Sequence, residues 1–311
     1  MSLVSSKELL EIAKKEKRAV GAFNFTNLEQ LKAIVQACIL TNTGCILATS
    51  ETAIEYMGIE NIVSVVKNEV KNLDIKFALH LDHGKSLDIC KKCINNGYTS
   101  VMIDASNLPF EENVRITKEV VKYAKKKRVS VEAELGKLKG IEDIVDEKES
   151  VFTSPQEAKK FIEQTGVDSL AISIGTSHGA YKFKGESRLQ ISLLKEIDEI
   201  TNHFPLVLHG ASSVSSELKK EFTRVGGNIE KAKGVDDKSI KDAISGGICK
   251  INVDTDLRIA FTTGVRRSLL NENNFNLRDY LIMGKNEMTK EVVNRINLFN
   301  NNWKVIKKIS Y

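Results

Sequence analysis

The feature that most limits the fold of this chain is an alternation of strand and helix patterns that repeats eight times. Short apolar or alternating runs recur along the 311 residues, and helical patterns such as 110–126 and 154–166 lie between them. The eight candidate strands span residues 19–25, 44–50, 77–82, 99–104, 129–135, 169–175, 205–210 and 248–254. Eight such units over this length predict a (β/α)8 TIM barrel, an α/β fold.

The alternative architecture is a doubly wound parallel sheet. That fold usually carries a glycine-rich dinucleotide fingerprint after its first strand, and no such motif follows residue 25. The sequence contains no linker or low-complexity tract, so we expect a single domain over residues 1–311. A helical C-terminal extension is expected near 276–311.

Composition and charge make several functional classes less favoured. The net charge is only +5, aromatic residues make up 6%, and the basic clusters contain no interleaved aromatics, so we expect no nucleic-acid partner. No apolar run approaches the roughly 18 residues of a membrane span, so we expect no membrane partner. Ser5 and Glu8 have the spacing of a capping box, which predicts a first helix near 6–17 instead of a signal peptide.

The cysteines do not form a recognisable framework. There are five of them, and Cys90 and Cys93 make a single CxxC on a lysine-rich helical segment, without a second pair or adjacent histidines. A zinc knuckle is therefore the less favoured interpretation. Free thiols in a reducing cytosol are expected, which indicates a cytoplasmic protein.

The barrel interpretation predicts where chemistry takes place, because catalytic groups lie at the C-terminal ends of barrel strands. Polar residues occupy those ends in this sequence, whereas the opposite ends carry mostly small or apolar residues. The polar strand-end residues are Asn24, Ser50, Asp82, His83, Asp104, Glu134, His178, His209, Asn252 and Asp254. Their convergence on one rim predicts an active site there.

Three of the five histidines lie at this rim, and they suit a catalytic zinc ion. His83, His178 and His209 would offer three imidazoles and leave one coordination position open. Each histidine alone is compatible with a core or surface role, but three at the strand ends of one barrel favour a metal centre. By strand alternation His80 points inward one layer below Asp82, so we interpret it as a buried hydrogen-bonding residue.

Two loops rich in glycine and serine follow strands six and seven, at 175–182 and 209–213. Their backbone N–H groups can cradle an anion, and the loop after strand seven of a barrel is a recurrent phosphate site. Lys182 would add positive charge. Each loop taken alone is equally compatible with a simple turn.

Five motifs in order resemble those of the class II, zinc-dependent fructose-bisphosphate aldolases: "ALHLDHG", "VEAELG", "GTSHGAYK", "LHGASS" and "KINVDTDLRIAFT". The resemblance runs from "VGAFNF" to "FNLRDYL" near residue 281. It implies reversible cleavage of fructose 1,6-bisphosphate into dihydroxyacetone phosphate and glyceraldehyde 3-phosphate, with one zinc ion per subunit. A monovalent cation, Na⁺ or K⁺, is a further expectation. Related tagatose-bisphosphate aldolases share most of these motifs.

The resemblance also implies roles for single residues. His83, His178 and His209 match zinc ligands, and Asp104 and Glu134 match an alternative buried metal position. Asp82 matches the acid/base at the C4 hydroxyl, and Glu142, in a mobile loop near 136–151, matches the group that transfers a proton at C3. The matching substrate-binding residues are Asn24, Ser50, Gly179, Lys182, Gly210, Ser212, Asn252, Asp254, Thr255 and Arg278.

The resemblance has consequences for substrate and assembly as well. Asp254 in "NVDTD" favours the fructose ester, since tagatose enzymes tend to carry alanine there. Arg278 matches an arginine that reaches a neighbouring subunit, which implies a homodimer or homotetramer. The family usually has "FDPR" at this point, whereas this chain has Asn276 and Leu277 before the arginine.

Other functions make different demands on the sequence. A metal-dependent hydrolase on this fold would need His-x-His at the end of strand one, where the chain has "FNFTN". A non-catalytic sugar-phosphate-binding barrel would be expected to lose its acid/base residues, yet Asp82 and Glu142 are present. Lys250, the lysine that we place inside a strand, alternates inward, so we predict a buried pair with Glu132 instead of a Schiff-base amine.

Overall fold

The computed structural model describes residues 2–136, 139–142, 145–147, 151–178, 189–229 and 232–300, and for 139–142, 145–147 and 177–178 it describes the backbone alone. The strands in this part of the chain are β1 Val20–Asn24, β2 Cys45–Thr49, β3 Phe77–Gly84, β4 Ser100–Ile103, β5 Ser130–Leu135, β6 Lys139–Glu142, β7 Val145–Glu147, β8 Ser169–Ile172, β9 Ser177–His178, β10 Leu206–Leu208 and β11 Ile248–Val253. The helices are α1 Ser6–Lys15, α2 Leu28–Thr41, α3 Glu51–Met57, α4 Ile59–Val70, α5 Leu87–Asn96, α6 Phe110–Lys125, α7 Pro155–Thr165, α8 Ile191–Ile200, α9 Ser216–Arg224, α10 Asp237–Ser245, α11 Thr255–Leu269 and α12 Leu277–Phe299.

Eight of these strands close into a parallel barrel in the order β1-β11-β10-β8-β5-β4-β3-β2. Each lies where the sequence predicts a strand, and only β3 extends beyond its predicted range. The predicted (β/α)8 architecture is therefore confirmed. Outside the barrel, β6 pairs antiparallel with β7 and parallel with β9.

The eight barrel strands are buried along almost their whole length because helices cover the outside of the barrel. Inside the barrel, Met102 of β4, Ala171 of β8 and Val207 of β10 form a small apolar cluster. Helix α1 begins at the predicted Ser5 cap, whose Oγ accepts a hydrogen bond from Glu8 N at 3.3 Å.

Helix α1 also closes the N-terminal end of the barrel. Its Leu10 packs in an apolar cluster with residues of β1, β2 and β3. The buried Ser6 Oγ lies 2.8 Å from Ser100 Oγ and 2.8 Å from Ser130 Oγ. Ser100 Oγ in turn lies 2.7 Å from His80 Nδ1, so a buried polar chain runs from α1 into the barrel. This agrees with the prediction that His80 is a buried hydrogen-bonding residue.

The predicted Lys250–Glu132 pair is present in the barrel interior. Lys250 Nζ lies 2.8 Å from Glu132 Oε2 and 2.9 Å from Oε1, and both side chains are fully buried. The pair connects β11 to β5 through the interior, beneath the C-terminal rim where the polar strand ends converge.

At the C-terminal end of the fold, α11 and α12 cross at close range. A Cβ atom on Gly264 would lie 2.2 Å from the carbonyl oxygen of Met283, so glycine permits the approach of the two helices. Because α11 begins immediately after β11, this contact braces the end of that strand. Among the described helices, none is both long and apolar enough to cross a membrane.

Candidate active site and metal centre

The centre of the candidate site is a bulge at the end of β3. Leu81 pairs with Val101 and Gly84 with Ile103, so β3 has one more residue than β4 over this interval. His83 adopts a positive φ of 48°, which is uncommon for a residue with a side chain. As a result, ligand atoms of the consecutive residues Asp82 and His83 both lie within 4.8 Å of one another and of a His209 nitrogen.

The two rim histidines are each oriented by a buried carboxylate. His83 Nδ1 lies 2.9 Å from Asp104 Oδ2, and His209 Nε2 lies 2.9 Å from Glu132 Oε1. The two rings are close, with centroids 4.6 Å apart. Carboxylates in this position fix the tautomer and orientation of metal-binding histidines. A metal would therefore bind Nε2 of His83 and Nδ1 of His209, and the arrangement fits a divalent cation.

The same histidine belongs to a second, deeper group. A His83 nitrogen and carboxylate oxygens of Asp104 and Glu134 lie within 4.8 Å of one another. Glu134 Oε2 is buried and has no hydrogen-bond partner among the described residues. Burial, followed by the charge of Asp104, raises the pKa of Glu134 to about 8. The sequence interpretation of Asp104 and Glu134 as an inner metal position is geometrically compatible with this group.

Charges around His83 favour its protonated form when no metal is bound. Burial alone would lower its pKa, but the Asp82 carboxylate and the hydrogen bond to Asp104 outweigh burial and raise it to about 10. Burial and then the charge of His83 lower the pKa of His209. Without a metal, these shifts favour a protonated His83 beside a neutral His209, and binding of a divalent cation would require His83 to lose its proton.

Asp82 is held by two amides from opposite sides. Asn24 Nδ2 donates to Asp82 Oδ2 and Asn252 Nδ2 donates to Oδ1, each at 2.9 Å. Burial opposes ionisation of Asp82, but the charges of His83 and His209 outweigh it and keep its pKa well below the usual range. The carbonyl oxygens of both amides are buried without hydrogen-bond partners among the described residues. Both oxygens are therefore able to accept hydrogen bonds from a bound ligand or from water.

The loop after β10 has a backbone conformation that presents N–H groups as hydrogen-bond donors. Gly210 has a φ of 61° and Val214 a φ of 45°. The Asp256 carboxylate accepts hydrogen bonds from the N–H groups of Ser213 and Val214, each at 2.8 Å. Ser212 is buried within this segment. Asp256 is fully buried in the first turn of α11, so it ties the loop to the end of β11.

Four other predicted site residues lie at or next to the first residue of a helix. Ser50 caps α3 by accepting a hydrogen bond from Ala53 N at 3.3 Å. The Asp254 carboxylate forms an ion pair with Arg258, at 2.8 Å between Arg258 Nη2 and Oδ2. Thr255 is the first residue of α11, and Arg278 lies exposed on α12.

Several predicted residues fall wholly or partly outside the described residues. Gly179 and Lys182 lie outside them. Of His178 and Glu142 only the backbone is described, in β9 and β6, and Gly140 of β6 pairs with His178. The expected loop near 136–151 and the end of the C-terminal extension are described only in part.

Sequence reasoning missed three contributors to the site. Strand alternation had indicated that Glu132 faces inward, but its contact with His209 depends on the side-chain rotamer. Asp256 follows a predicted site segment at α11, and an acidic residue in a first helical turn is ordinary there. Lys85 contacts Asp104 at 2.6 Å, and no pattern in the sequence distinguished it from other surface lysines.

Comparison with known proteins identifies relatives along nearly the whole chain. The family model described as fructose-bisphosphate aldolase class-II matches residues 4–304. A fructose-bisphosphate aldolase of Helicobacter pylori is 46% identical over 301 residues, covering 95% of this chain and 97% of the relative. One from Giardia intestinalis is 46% identical over 303 residues, covering 96% and 93%. The crystal structure of the YdjI aldolase from Escherichia coli K12 has a TM-score of 0.78 at 26% identity, covering 98% and 100%.

Proposed function

This chain belongs to the class-II fructose-bisphosphate aldolase family, and on that premise we propose that it reversibly cleaves fructose 1,6-bisphosphate into dihydroxyacetone phosphate and glyceraldehyde 3-phosphate. The observation that supports this most directly is the buried Asp82 carboxylate, held between two amides beside His83 and His209. A general base is thereby fixed next to a group of metal-ligand atoms, as metal-assisted cleavage of a carbon–carbon bond requires.

We assign His83, His178 and His209 as ligands of one zinc ion per subunit. Three nitrogen ligands with one open position are typical of catalytic zinc. When bound, the metal supplies Lewis-acid polarisation of the substrate ketone and stabilisation of the negative charge that develops there. The carboxylates of Asp104 and Glu132 hold His83 and His209 in the required orientation.

Asp82 is the proposed acid/base at the C4 hydroxyl. In the cleavage direction its carboxylate accepts the hydroxyl proton, the C4–O bond becomes a carbonyl, and the electrons of the C3–C4 bond remain on C3. The hydrogen bonds that Asn24 and Asn252 donate to its two oxygens favour the ionised form of the base and keep both oxygens in place. Glu142 then delivers the proton that C3 receives, in line with its family position.

The remaining contacts follow the family pattern. Gly179, Lys182, Gly210 and Ser212 cradle one phosphate, and the positive φ of Gly210 together with the Asp256 contacts supports this role for the β10 loop. Asn24, Ser50, Asn252, Asp254 and Thr255 complete the substrate contacts. Asp254 is the residue that favours the fructose over the tagatose ester.

A lysine-based mechanism has little support in this molecule. The barrel-interior amine, Lys250, is fully buried and paired with Glu132 through both carboxylate oxygens. A Schiff base would require this ammonium to lose its proton and leave the pair. The metal-dependent route therefore fits the arrangement better.

We also propose assembly as a homodimer or homotetramer in which Arg278 serves the site of a neighbouring subunit. The exposed apolar side chains beside it support this, since Phe275 is 93% exposed and Leu277 57% exposed. The five unbridged thiols support a reducing cytoplasmic location. A bound Na⁺ or K⁺ remains part of the proposal.

The first test is an assay of fructose 1,6-bisphosphate cleavage by the purified protein, coupled to triose-phosphate detection. We expect activity that EDTA abolishes and that zinc restores, with tagatose 1,6-bisphosphate turned over more slowly. Activity that survives EDTA but is lost on borohydride treatment would contradict the metal mechanism. Absence of cleavage by the folded, zinc-loaded protein would favour a sugar-phosphate-binding role instead.

The second test is Asp82→Asn, which removes the base and retains the shape of the side chain. Loss of a general base typically lowers kcat by about 10²- to 10⁴-fold, and we expect a decrease in this range. Zinc content measured by atomic absorption should remain at the wild-type level. Asp88→Asn, on the exposed side of α5, is the matched control. A kcat like that of the control would contradict the assignment.

A further inference from the structure

Lys85, the first residue after β3, forms a short ion pair with a carboxylate of the site. Its Nζ lies 2.6 Å from Asp104 Oδ2, the same oxygen that is 2.9 Å from His83 Nδ1. Its backbone N–H donates to Glu51 Oε1 at 2.6 Å, which fixes the start of the side chain. The Lys85 side chain is 35% exposed, whereas that of Asp104 is only 4% exposed. The ammonium thus reaches from the surface to a buried carboxylate of the metal centre.

Asp104 belongs to the inner group of His83, Asp104 and Glu134, whose side chains could together bind a metal ion. All of its acceptor positions are occupied in this arrangement. Oδ1 accepts hydrogen bonds from Ser106 N at 3.2 Å and from Ser106 Oγ at 2.7 Å, and Oδ2 contacts His83 and Lys85. A cation entering the inner group would have to displace one of these donors.

The Lys85 ammonium beside Asp104 also repels any metal ion that binds nearby. A divalent ion in the inner group would lie close to the Lys85 ammonium, in a largely buried region where like charges repel more strongly than in water. At the proposed outer site, which uses the other ring nitrogen of His83, the Nδ1 contact with Asp104 Oδ2 can stay in place and orient the ring while Lys85 shares the same oxygen. The same contact therefore disfavours the inner position and leaves the outer one for the metal.

We propose that Lys85 is a positioning residue that directs the catalytic metal to the outer site by occupying Asp104 and opposing a cation in the inner group of His83, Asp104 and Glu134. The inference rests on the proposed metal centre and concerns which of its two positions is filled. The inner group offers one imidazole and two carboxylates, a set that suits oxygen-preferring cations better than the histidine-rich outer group does.

The test is a titration of metal-free, full-length protein with Co²⁺, followed by calorimetry and by the visible absorption of the bound ion. We expect wild type to bind one Co²⁺ per chain. Lys85→Met should add a second binding event or tighten binding by about tenfold or more, the size of effect that groups around a metal site typically have. Lys85→Arg, which retains the charge, should behave like wild type.

Two further variants locate the effect. Lys92→Met removes an exposed lysine of α5 and should leave Co²⁺ binding unchanged. In the double variant Lys85→Met/Glu134→Gln the gain should disappear, because Glu134 contributes one of the inner ligands. Thermal melting of each variant confirms that it is folded.

The outcomes separate this inference from the proposed function. Binding by Lys85→Met that matches Lys92→Met, or that is weaker than wild type, would show that Lys85 is only a surface charge or a structural support. A gain that persists without Glu134 would also overturn the inference. If wild type binds no Co²⁺ at all, the proposed metal centre fails and the inference fails with it.

Discussion

Lys250 and Glu132 show how strongly the site depends on single buried charges. Glu132 contacts both Lys250 Nζ and His209 Nε2, so one carboxylate serves an ion pair and a histidine that we propose as a metal ligand. Burial opposes its ionisation, but the Lys250 charge and the His209 hydrogen bond outweigh burial and keep its pKa well below the usual range. A change in either partner therefore affects both the stability of the barrel and the orientation of His209.

We predict that Lys250→Met destabilises the fold by about 3–5 kcal/mol, the usual cost of leaving one partner of a buried pair uncompensated. Urea unfolding of the metal-free protein measures this change. Lys238→Met is the matched control, because Lys238 pairs with Asp242 on the surface, where the side chains are 85% and 46% exposed. If the two variants lose similar stability, the interior pair does not contribute as the structure indicates.

At the scale of elements, the bulge of β3 and the crossing of α11 and α12 position the site. Regular alternation would place Asp82 and His83 on opposite faces of β3. The extra residue and the positive φ of His83 bring both to the same centre. On the other side, α11 carries Asp256, which holds the β10 loop, and the packing of α12 against α11 fixes that helix.

We predict that Gly264→Ala destabilises the protein by about 1–3 kcal/mol or more, because the new Cβ would overlap backbone atoms of Met283 at 2.2 Å. In an unpacked helix the same change would stabilise by about 1 kcal/mol. Gly284→Ala, in the same interface, is the graded control, since the atoms nearest to its Cβ would be side-chain atoms of Phe261 and Val265, at 3.0 Å. Equal midpoints of thermal unfolding for the two variants would contradict this account of the crossing.

At the scale of the whole molecule, the buried ionisable groups make the stability of the metal-free protein depend on pH. Some of them reduce stability as the pH rises, and others as it falls. His83 has its pKa raised from 6.5 to about 10, and Glu134 from 4.5 to about 8. A group whose pKa is higher in the folded than in the unfolded protein stabilises the fold fully at pH values below its unfolded pKa. This stabilisation is lost as the pH rises through its folded pKa. For His80, burial and then the charge of Lys250 lower the pKa to about 3, so its contribution is lost as the pH falls below 6.5.

We predict that the free energy of unfolding of the metal-free protein is lower at pH 8.5 than at pH 6.5, by up to about 1.4 kcal/mol per pH unit for each retained proton. Zinc should reduce or reverse this loss, because metal binding requires deprotonated ligands and strengthens as the pH rises. Glu134→Gln should show a shallower loss than wild type. Urea unfolding at both pH values, with zinc or with EDTA, measures the difference, and equal slopes with and without zinc would argue against the coupling.

The sequence determined the architecture and the residue types at the rim, because eight strand–helix alternations leave few ways to bury so much apolar surface. It also predicted the Lys250–Glu132 pair, since strand alternation indicates which face a side chain occupies and a buried charge needs a partner. The confirmed cap of α1 and the buried role of His80 follow from equally local rules.

The tertiary structure alone decided how those residues meet. The bulge that brings Asp82 beside His83, the choice of ring nitrogen that faces each carboxylate, and the reach of Lys85 to Asp104 all depend on contacts between segments far apart in the chain. Periodicity carries no information about such contacts, because it describes which face a residue occupies and not which atom lies opposite it. The types of residue at the strand ends could therefore be predicted from the sequence, whereas the contacts and electrostatics between them arise from the packing of the folded barrel.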